Sequence, residues 1–375
     1  MKIGILTLPL HTNYGGILQA YALQTVLERM GHEVVVLNKE RHLKTNYFRL
    51  VFRVIKKMLG YNTFIFYERH TNHAIDIKEK YTSQFVSKHI HSLKFRSFND
   101  IMFEIFDAIV VGSDQVWSSM HGKSFCGSVI NAFLPFTEGI KLKRIAYAAS
   151  FGKDNWEYSE KETEQAKKML AIFDGISVRE SSGVELCARH LDTKAITTLD
   201  PTLLLETKDY LHLINQRELN PEKNEMLIYV IDNSKDKSHI VDTVGLSLQL
   251  TSNIVNSRAE DCSGEKYELK DMVQPPVESW LKAFWNASFV VTDSFHACVF
   301  SILFRKDFIA IGNKERGLAR FCDLLSSLGL ESRLVLDSSD LTDNLIYSKI
   351  DYKQVYEKLD KMRNHSLNFL TKALS

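Results

Sequence analysis

The spacing of apolar positions changes repeatedly along the chain, and each change marks an element. Residues 289–291 form a short apolar run with β-branched members, followed by Thr292, Asp293 and Ser294, which suit a helix N-cap. Phe295, Val299, Phe300 and Leu303 then share one helix face, and residues 308–311 return to a strand-like run. Such a strand–helix–strand unit belongs to a parallel sheet. The same alternation fills the rest of the chain. Residues 3–8 predict a first strand, 9–16 a loop, 17–30 a helix stopped by Gly31, and 33–37 a second strand. Further strands are predicted over 107–111, 144–149, 175–178, 195–199, 226–231 and 253–256. Helices are predicted over 160–173, 237–249, 277–286, 317–328 and 352–370. A polar stretch, 203–225, separates two such series. The expected architecture is α/β, with two Rossmann-like domains facing across a cleft. The first covers 1–205 and carries a basic, aromatic helical insertion at 41–100; the second covers 206–350. Residues 351–375 predict a C-terminal helix packing back across both. No internal repeat or low-complexity segment interrupts the pattern.

The carboxyl ends of the predicted strands deliver Asn13, Asp114, Ser150, Arg179 and Asp200 to one rim. Open parallel sheets bind ligands at that rim. Gly15-Gly16 would let backbone approach a ligand closely, although the Gly-x-Gly-x-x-Gly spacing of a dinucleotide site is missing. His296 falls in the first turn of its helix, where backbone N–H groups attract anions. It reads either as an acid, base or anion-binding group, or as a residue that caps or packs. Asp114 likewise either orients a substrate hydroxyl or makes a turn.

Composition narrows the partners. The 47 basic and 46 acidic residues leave a net charge of +1, which gives no bulk reason to expect nucleic acid. The five cysteines are Cys126, Cys187, Cys262, Cys298 and Cys322; none stands at metal-ligand spacing, and the odd count suggests reduced thiols in a cytoplasmic protein. No apolar run approaches the roughly 18 residues needed to span a bilayer. The insertion carries Arg53-Val54-Ile55-Lys56-Lys57, then Tyr61, Phe64, Phe66 and Tyr67. It could touch a membrane surface or a lipid-linked substrate; the plainer reading is a solvated helical face.

The order and spacing of several stretches resemble one family, the polysaccharide pyruvyl transferases. They are Asn13-Tyr14-Gly15-Gly16 with Leu18-Gln19-Ala20-Tyr21-Ala22-Leu23, Gly112-Ser113-Asp114-Gln115-Val116-Trp117, and Tyr147-Ala148-Ala149-Ser150-Phe151-Gly152. Ser177-Val178-Arg179-Glu180, Asp200-Pro201-Thr202-Leu203-Leu204, Thr292-Asp293-Ser294-Phe295-His296 and the segment from Arg316-Gly317 to Arg320-Phe321 follow. The resemblance implies a GT-B-like fold, phosphoenolpyruvate as donor, and a pyruvate ketal on a sugar as product, in capsule, exopolysaccharide or cell-wall glycan synthesis. It maps a donor-binding arginine onto Arg179 and a catalytic histidine onto His296. Many members carry an arginine two residues before that histidine, where this chain has Ser294.

Phosphoenolpyruvate carries a carboxylate and a phosphate, which favours bidentate arginines. Arg179, with Arg316 and Arg320 one turn apart, would hold it, joined by the helix starts at Gly15, Gly16 and Ser294. Ketal formation needs a proton on the methylene carbon, a task for His296, while Asp114 handles a sugar hydroxyl. Asn13, Tyr14, Gln115 and Trp117 are the candidate acceptor contacts. No cofactor or metal is implied. The expected partners are phosphoenolpyruvate and a sugar acceptor, with a lipid-linked oligosaccharide and peripheral contact at the inner face of the membrane in view. A nucleotide-sugar glycosyltransferase and a non-catalytic glycan-binding relative stay open.

Overall fold

The computed structural model describes residues 1–215, 217, 219–220, 224–232, 234–255, 268–312 and 317–375. The first half runs β1 (Lys2–Leu6), α1 (Tyr14–Arg29), β2 (Glu33–Lys39), α2 (Tyr47–Met58), α3 (Tyr67–Lys78), α4 (Lys80–His89) and β3 (Ser92–Phe95). It continues through β4 (Ala108–Gly112), α5 (Ser119–Cys126), β5 (Lys143–Ala149), α6 (Glu160–Leu170), β6 (Gly175–Val178), α7 (Ser181–His190), β7 (Ile196–Thr197) and α8 (Thr207–Leu211). The second half holds β8 (Glu225–Tyr229), α9 (Lys235–Leu248), β9 (Thr251–Ile254), α10 (Val277–Asn286), β10 (Phe289–Thr292), α11 (Phe295–Leu303) and β11 (Asp307–Ile311). α12 (Ala319–Leu328), β12 (Leu334–Val335), α13 (Asp343–Tyr347) and α14 (Tyr352–Leu374) complete it.

Every strand pairing is parallel. Seven strands form one sheet in the order β3-β2-β1-β4-β5-β6-β7, and five form another in the order β12-β11-β10-β8-β9. The central strands are buried along their length, β4 at all five positions and β10 at all four, as strands covered by helices on both faces must be.

α5, α7, α13 and β12 fall where no element is predicted, and two further elements differ from the expected ones. The insertion does not return as helix and loop alone: Ser92–Phe95 pairs in parallel with β2 and becomes an edge strand. Four residues with two exposed side chains carry too little pattern to be read as a strand without that partner. In addition, α1 begins at Tyr14, so Gly15 and Gly16 lie in its first turn and not in a loop. Asn13 caps it, its side-chain oxygen accepting from Gly16 N at 3.2 Å. The end of the strand expected at 253–256 lies partly outside the described residues.

One apolar core spans both halves. It joins Tyr14 and Leu203 to Trp280, Phe300 and Leu359. Tyr14 stacks on Trp280 at 5.3 Å and donates its hydroxyl to Pro275 O at 2.8 Å. α14 starts on the second half, where the Tyr356 hydroxyl donates to Leu303 O at 2.8 Å. It ends on the first, where Arg363 donates to Leu203 O and Leu205 O and Ser366 accepts from Leu199 N.

Candidate active site

Parallel strands place their carboxyl ends at one edge, and the turns after them carry the polar residues. β4 leads into Ser113 and Asp114, β5 into Ser150, β6 into Arg179 and Glu180, β7 into Asp200, and β10 into Asp293, Ser294 and His296. Asp114 sits in the left-handed region, with φ of 60°, at a turn that suits Asp.

Arg179 lies at the centre, its side chain only 2% exposed. Nη1 donates to Asp200 Oδ2 at 2.9 Å and Nη2 to Asp114 Oδ1 at 3.4 Å. Asp200 also accepts from Ser113 Oγ at 3.1 Å and from the Thr202 N and Oγ1. His296 Nε2 stands 3.6 Å from the same Asp200 oxygen, so one carboxylate links the arginine of the first half to the histidine of the second. The Phe295 ring lies 4.6 Å from the Arg179 guanidinium and 5.8 Å from that of Arg320.

The electrostatics follow from this packing. Burial would raise Asp200, but His296 and Arg179 outweigh it and hold the carboxyl well below the usual range. Asp114 is also lowered: burial opposes this, while Arg179, His296 and Arg320 drive it. Glu180 goes the other way. Burial raises it despite Arg179 and Arg320, and its Oε1 accepts from Ser150 Oγ and Phe151 N. Arg179 Nε, Glu180 Oε2 and His296 Nε2 are buried without a hydrogen-bond partner among the described residues. Buried polar atoms are nearly always bonded, so these three make the cluster a candidate for binding a ligand.

Helix starts converge on the same place. A methyl group on Gly15 would overlap the His296 imidazole, so the second residue of α1 is in contact with the second residue of α11. The glycine expected to let backbone approach a ligand instead lets it approach His296. Ser294 caps α11, its hydroxyl accepting from Ala297 N at 3.5 Å. The halves also meet where Gly317, with φ of 88°, passes against the Gly152 carbonyl, and where Ser181 Oγ donates to Asp323 Oδ1 at 2.9 Å.

Two cavities flank the cluster. One of about 330 Å³ is lined by Arg179, Asp200, Phe295, Arg320, Lys361 and His365. The other, about 390 Å³, is lined by His11, Lys39, Arg41 and His121. Burial and then Arg41 push His11 down to about 4, against the pull of Asp114.

The structure thus gathers Asp114, Arg179, Arg320, Ser294, Gly15 and His296. The remaining candidates take other places in the fold. Tyr14 and Trp117, expected to touch the acceptor, are fully buried: Tyr14 against Trp280, and Trp117 stacked on Phe133 with Nε1 donating to Ala132 O. Their rings are large enough to be worth more as packing than as rim. Arg179 is not a free clamp but already shares two carboxylates. Asn13 is exposed and serves as a cap, Gly16 bonds to it, and Gln115 is half-buried against Gly152. Arg316 lies outside the described residues. Asp200, placed on the rim by the sequence but given no role there, proves central, and Glu180 and Phe295 join it from stretches that carry the resemblance. Among the described residues no group of His, Cys, Asp and Glu could hold a metal ion.

The chain is similar in fold to Arabidopsis thaliana UGT89C1 complexed with UDP-L-rhamnose, with a TM-score of 0.50 and 10% identity over 99% of this chain and 98% of that one. UDP-N-acetylglucosamine 2-epimerase from Rickettsia bellii matches with a TM-score of 0.47 and 11% identity, over 100% of this chain and 97% of that one. The neighbours are GT-B glycosyltransferases and epimerases, and the two parallel sheets have that fold. No curated protein matches the chain. The family model for polysaccharide pyruvyl transferase matches residues 13–315, which include every stretch from Asn13 to His296 described above, and the chain belongs to that family.

Proposed function

We propose that the protein transfers a pyruvyl group from phosphoenolpyruvate to two hydroxyls of a sugar, closing a cyclic ketal during bacterial surface polysaccharide synthesis. The observation that carries this reading is His296 Nε2, buried, without a hydrogen-bond partner among the described residues, and 3.6 Å from Asp200. Arg179 and Arg320 hold the donor's carboxylate and phosphate, helped by N–H groups at the starts of α1 and α11. His296, 3.6 Å from Asp200, gives a proton to the methylene carbon, which becomes a methyl group. Positive character builds at the neighbouring carbon, where the first sugar hydroxyl adds; its proton passes to the now neutral imidazole. Phosphate leaves with the electron pair of its C–O bond, the second hydroxyl closes the ring, and its proton leaves with the phosphate. Asp114 is held ionised beside Arg179, a poor base at neutral pH, so its task is to orient the hydroxyl.

His296→Gln tests the assignment, because glutamine keeps a donor but transfers no proton. Donor affinity should stay within a few fold while turnover, read as phosphate release, falls roughly 100-fold or more. Near-normal turnover at saturating donor would overturn the acid role. Arg179→Ala is a poorer probe, since it also leaves two buried carboxylates unpaired. The fold favours a second reading, a nucleotide-sugar glycosyltransferase. A melting temperature raised by a UDP-sugar and not by phosphoenolpyruvate would support it. Ser294, in place of the arginine many relatives carry, favours a non-catalytic glycan-binding role, and no phosphate release with any acceptor would support that.

A further inference from the structure

The sequence of α2, Tyr47-Phe48-Arg49-Leu50-Val51-Phe52-Arg53-Val54-Ile55-Lys56-Lys57-Met58, separates cleanly on a helical wheel. At about 100° per residue, Arg49, Arg53, Lys56 and Lys57 share one narrow arc and the apolar residues fill the rest. A surface helix of a globular protein turns its apolar stripe toward the core. α2 does not: only Leu50, Arg53 and Val54 are half-buried, and the rest of its apolar arc is open. None of its residues is buried; Phe48 is 90% exposed and Met58 82%, with Val51, Phe52 and Ile55 exposed beside them. The helix is tethered from its cationic side, where Arg53 donates to both oxygens of buried Glu68, at 2.5 and 2.9 Å. Leu59, Tyr61, Phe64 and Phe66 extend the exposed apolar surface past the helix end.

We propose that α2 and the aromatic turn after it are an in-plane anchor that docks the protein on a bilayer surface rich in anionic lipid. Charge selects this occupant. Residues 41–67 contain six Lys and Arg and no Asp or Glu, in a chain whose net charge is only +1. A second copy docking through the same face would bring two such cationic sets together, because a two-fold interface pairs a patch with itself. Anionic headgroups complement it instead, and an apolar stripe flanked by Lys and Arg matches the boundary between headgroups and acyl chains. Lys56 lies 4.9 Å over the Phe52 ring, so cation and apolar stripe form one surface. Among the described residues no helix is long and apolar enough to cross a membrane, so the contact lies in the plane of the surface. At the root of the insertion Arg41 pairs with Glu79 and also lines the cavity of His11 and His121. The docking itself does not depend on which donor the enzyme uses.

The test is co-sedimentation of the full chain with vesicles of phosphatidylcholine alone or mixed with phosphatidylglycerol. Binding should be about tenfold or more stronger to the mixed vesicles and should weaken with added salt. Phe48→Glu/Phe52→Glu should abolish it, and Lys56→Ala/Lys57→Ala should remove the preference for anionic lipid. Both variants should keep the wild-type melting temperature and phosphate release with a water-soluble acceptor, since these side chains are exposed and line neither cavity. No sedimentation with either vesicle, or sedimentation that survives Phe48→Glu/Phe52→Glu, would overturn the proposal. So would a concentration-dependent dimer of the wild type that this variant dissolves, which would assign the face to a second copy.

Discussion

Gly15 shows how one missing side chain sets the site. Its place is inside a helix, where alanine is the better residue by about 1 kcal/mol. Yet the His296 imidazole occupies the space a methyl group would need. The overlap outweighs the propensity, because relieving it means rotating the imidazole or parting the two halves. On the role proposed for His296, Gly15→Ala should therefore gain no thermal stability and should lose roughly 100-fold in turnover, the cost of misplacing a reacting group by about 1 Å. Calorimetry and phosphate release read the two effects; a variant both more stable and fully active would contradict this account. The glycine pair was visible in the sequence, but its neighbour was not: nothing local to residue 15 points to residue 296.

Among elements, α14 has the clearest structural task. Its first turns bond to α11 and its last half to the segment after β7. Arg363 is the main tie, with Nε donating to Leu203 O at 2.6 Å and Nη2 to Leu205 O at 3.1 Å. Both carbonyls belong to buried residues, so removing the donor leaves them unsatisfied. Arg363→Ala should destabilise the protein by about 1.5–3 kcal/mol or somewhat more, the range for hydrogen bonds to charged groups. Urea unfolding measures it, and an unchanged midpoint would show that α14 is not held there. Amphipathic spacing made this helix legible. The four-residue β3 was not, because an edge strand of that length is defined by its pairing with β2 rather than by its own pattern.

At the scale of the molecule, Asp200 joins the halves electrostatically. Its pKa is depressed in the folded state, so its ionised form stabilises the fold fully above the ordinary carboxylate value of about 3.9. That stabilisation declines as pH falls below this value toward the depressed one. Asp200→Asn should cost about 3–5 kcal/mol at pH near 7, since it leaves buried Arg179 short of a partner. The deficit against wild type should shrink at pH near 3, where the wild type begins to lose the same contribution. Equal deficits at both values would mean that the loss is packing and not charge.

The alternation of strands and helices, the parallel sheets and the two-part division followed from local patterns: apolar runs, cap residues and helical spacing, each visible within a dozen positions. The order of the motif stretches carried the family. Tertiary structure decided which polar groups share a charge. Arg179 meets Asp200 across 21 positions and Asp114 across 65, and no propensity reaches that far. It also decided that Tyr14 and Trp117 are core and that the apolar stripe of α2 faces outward. Burial and pairing depend on distances that only the closed fold sets, whereas the chain by itself records just which side chains are available to be buried or paired.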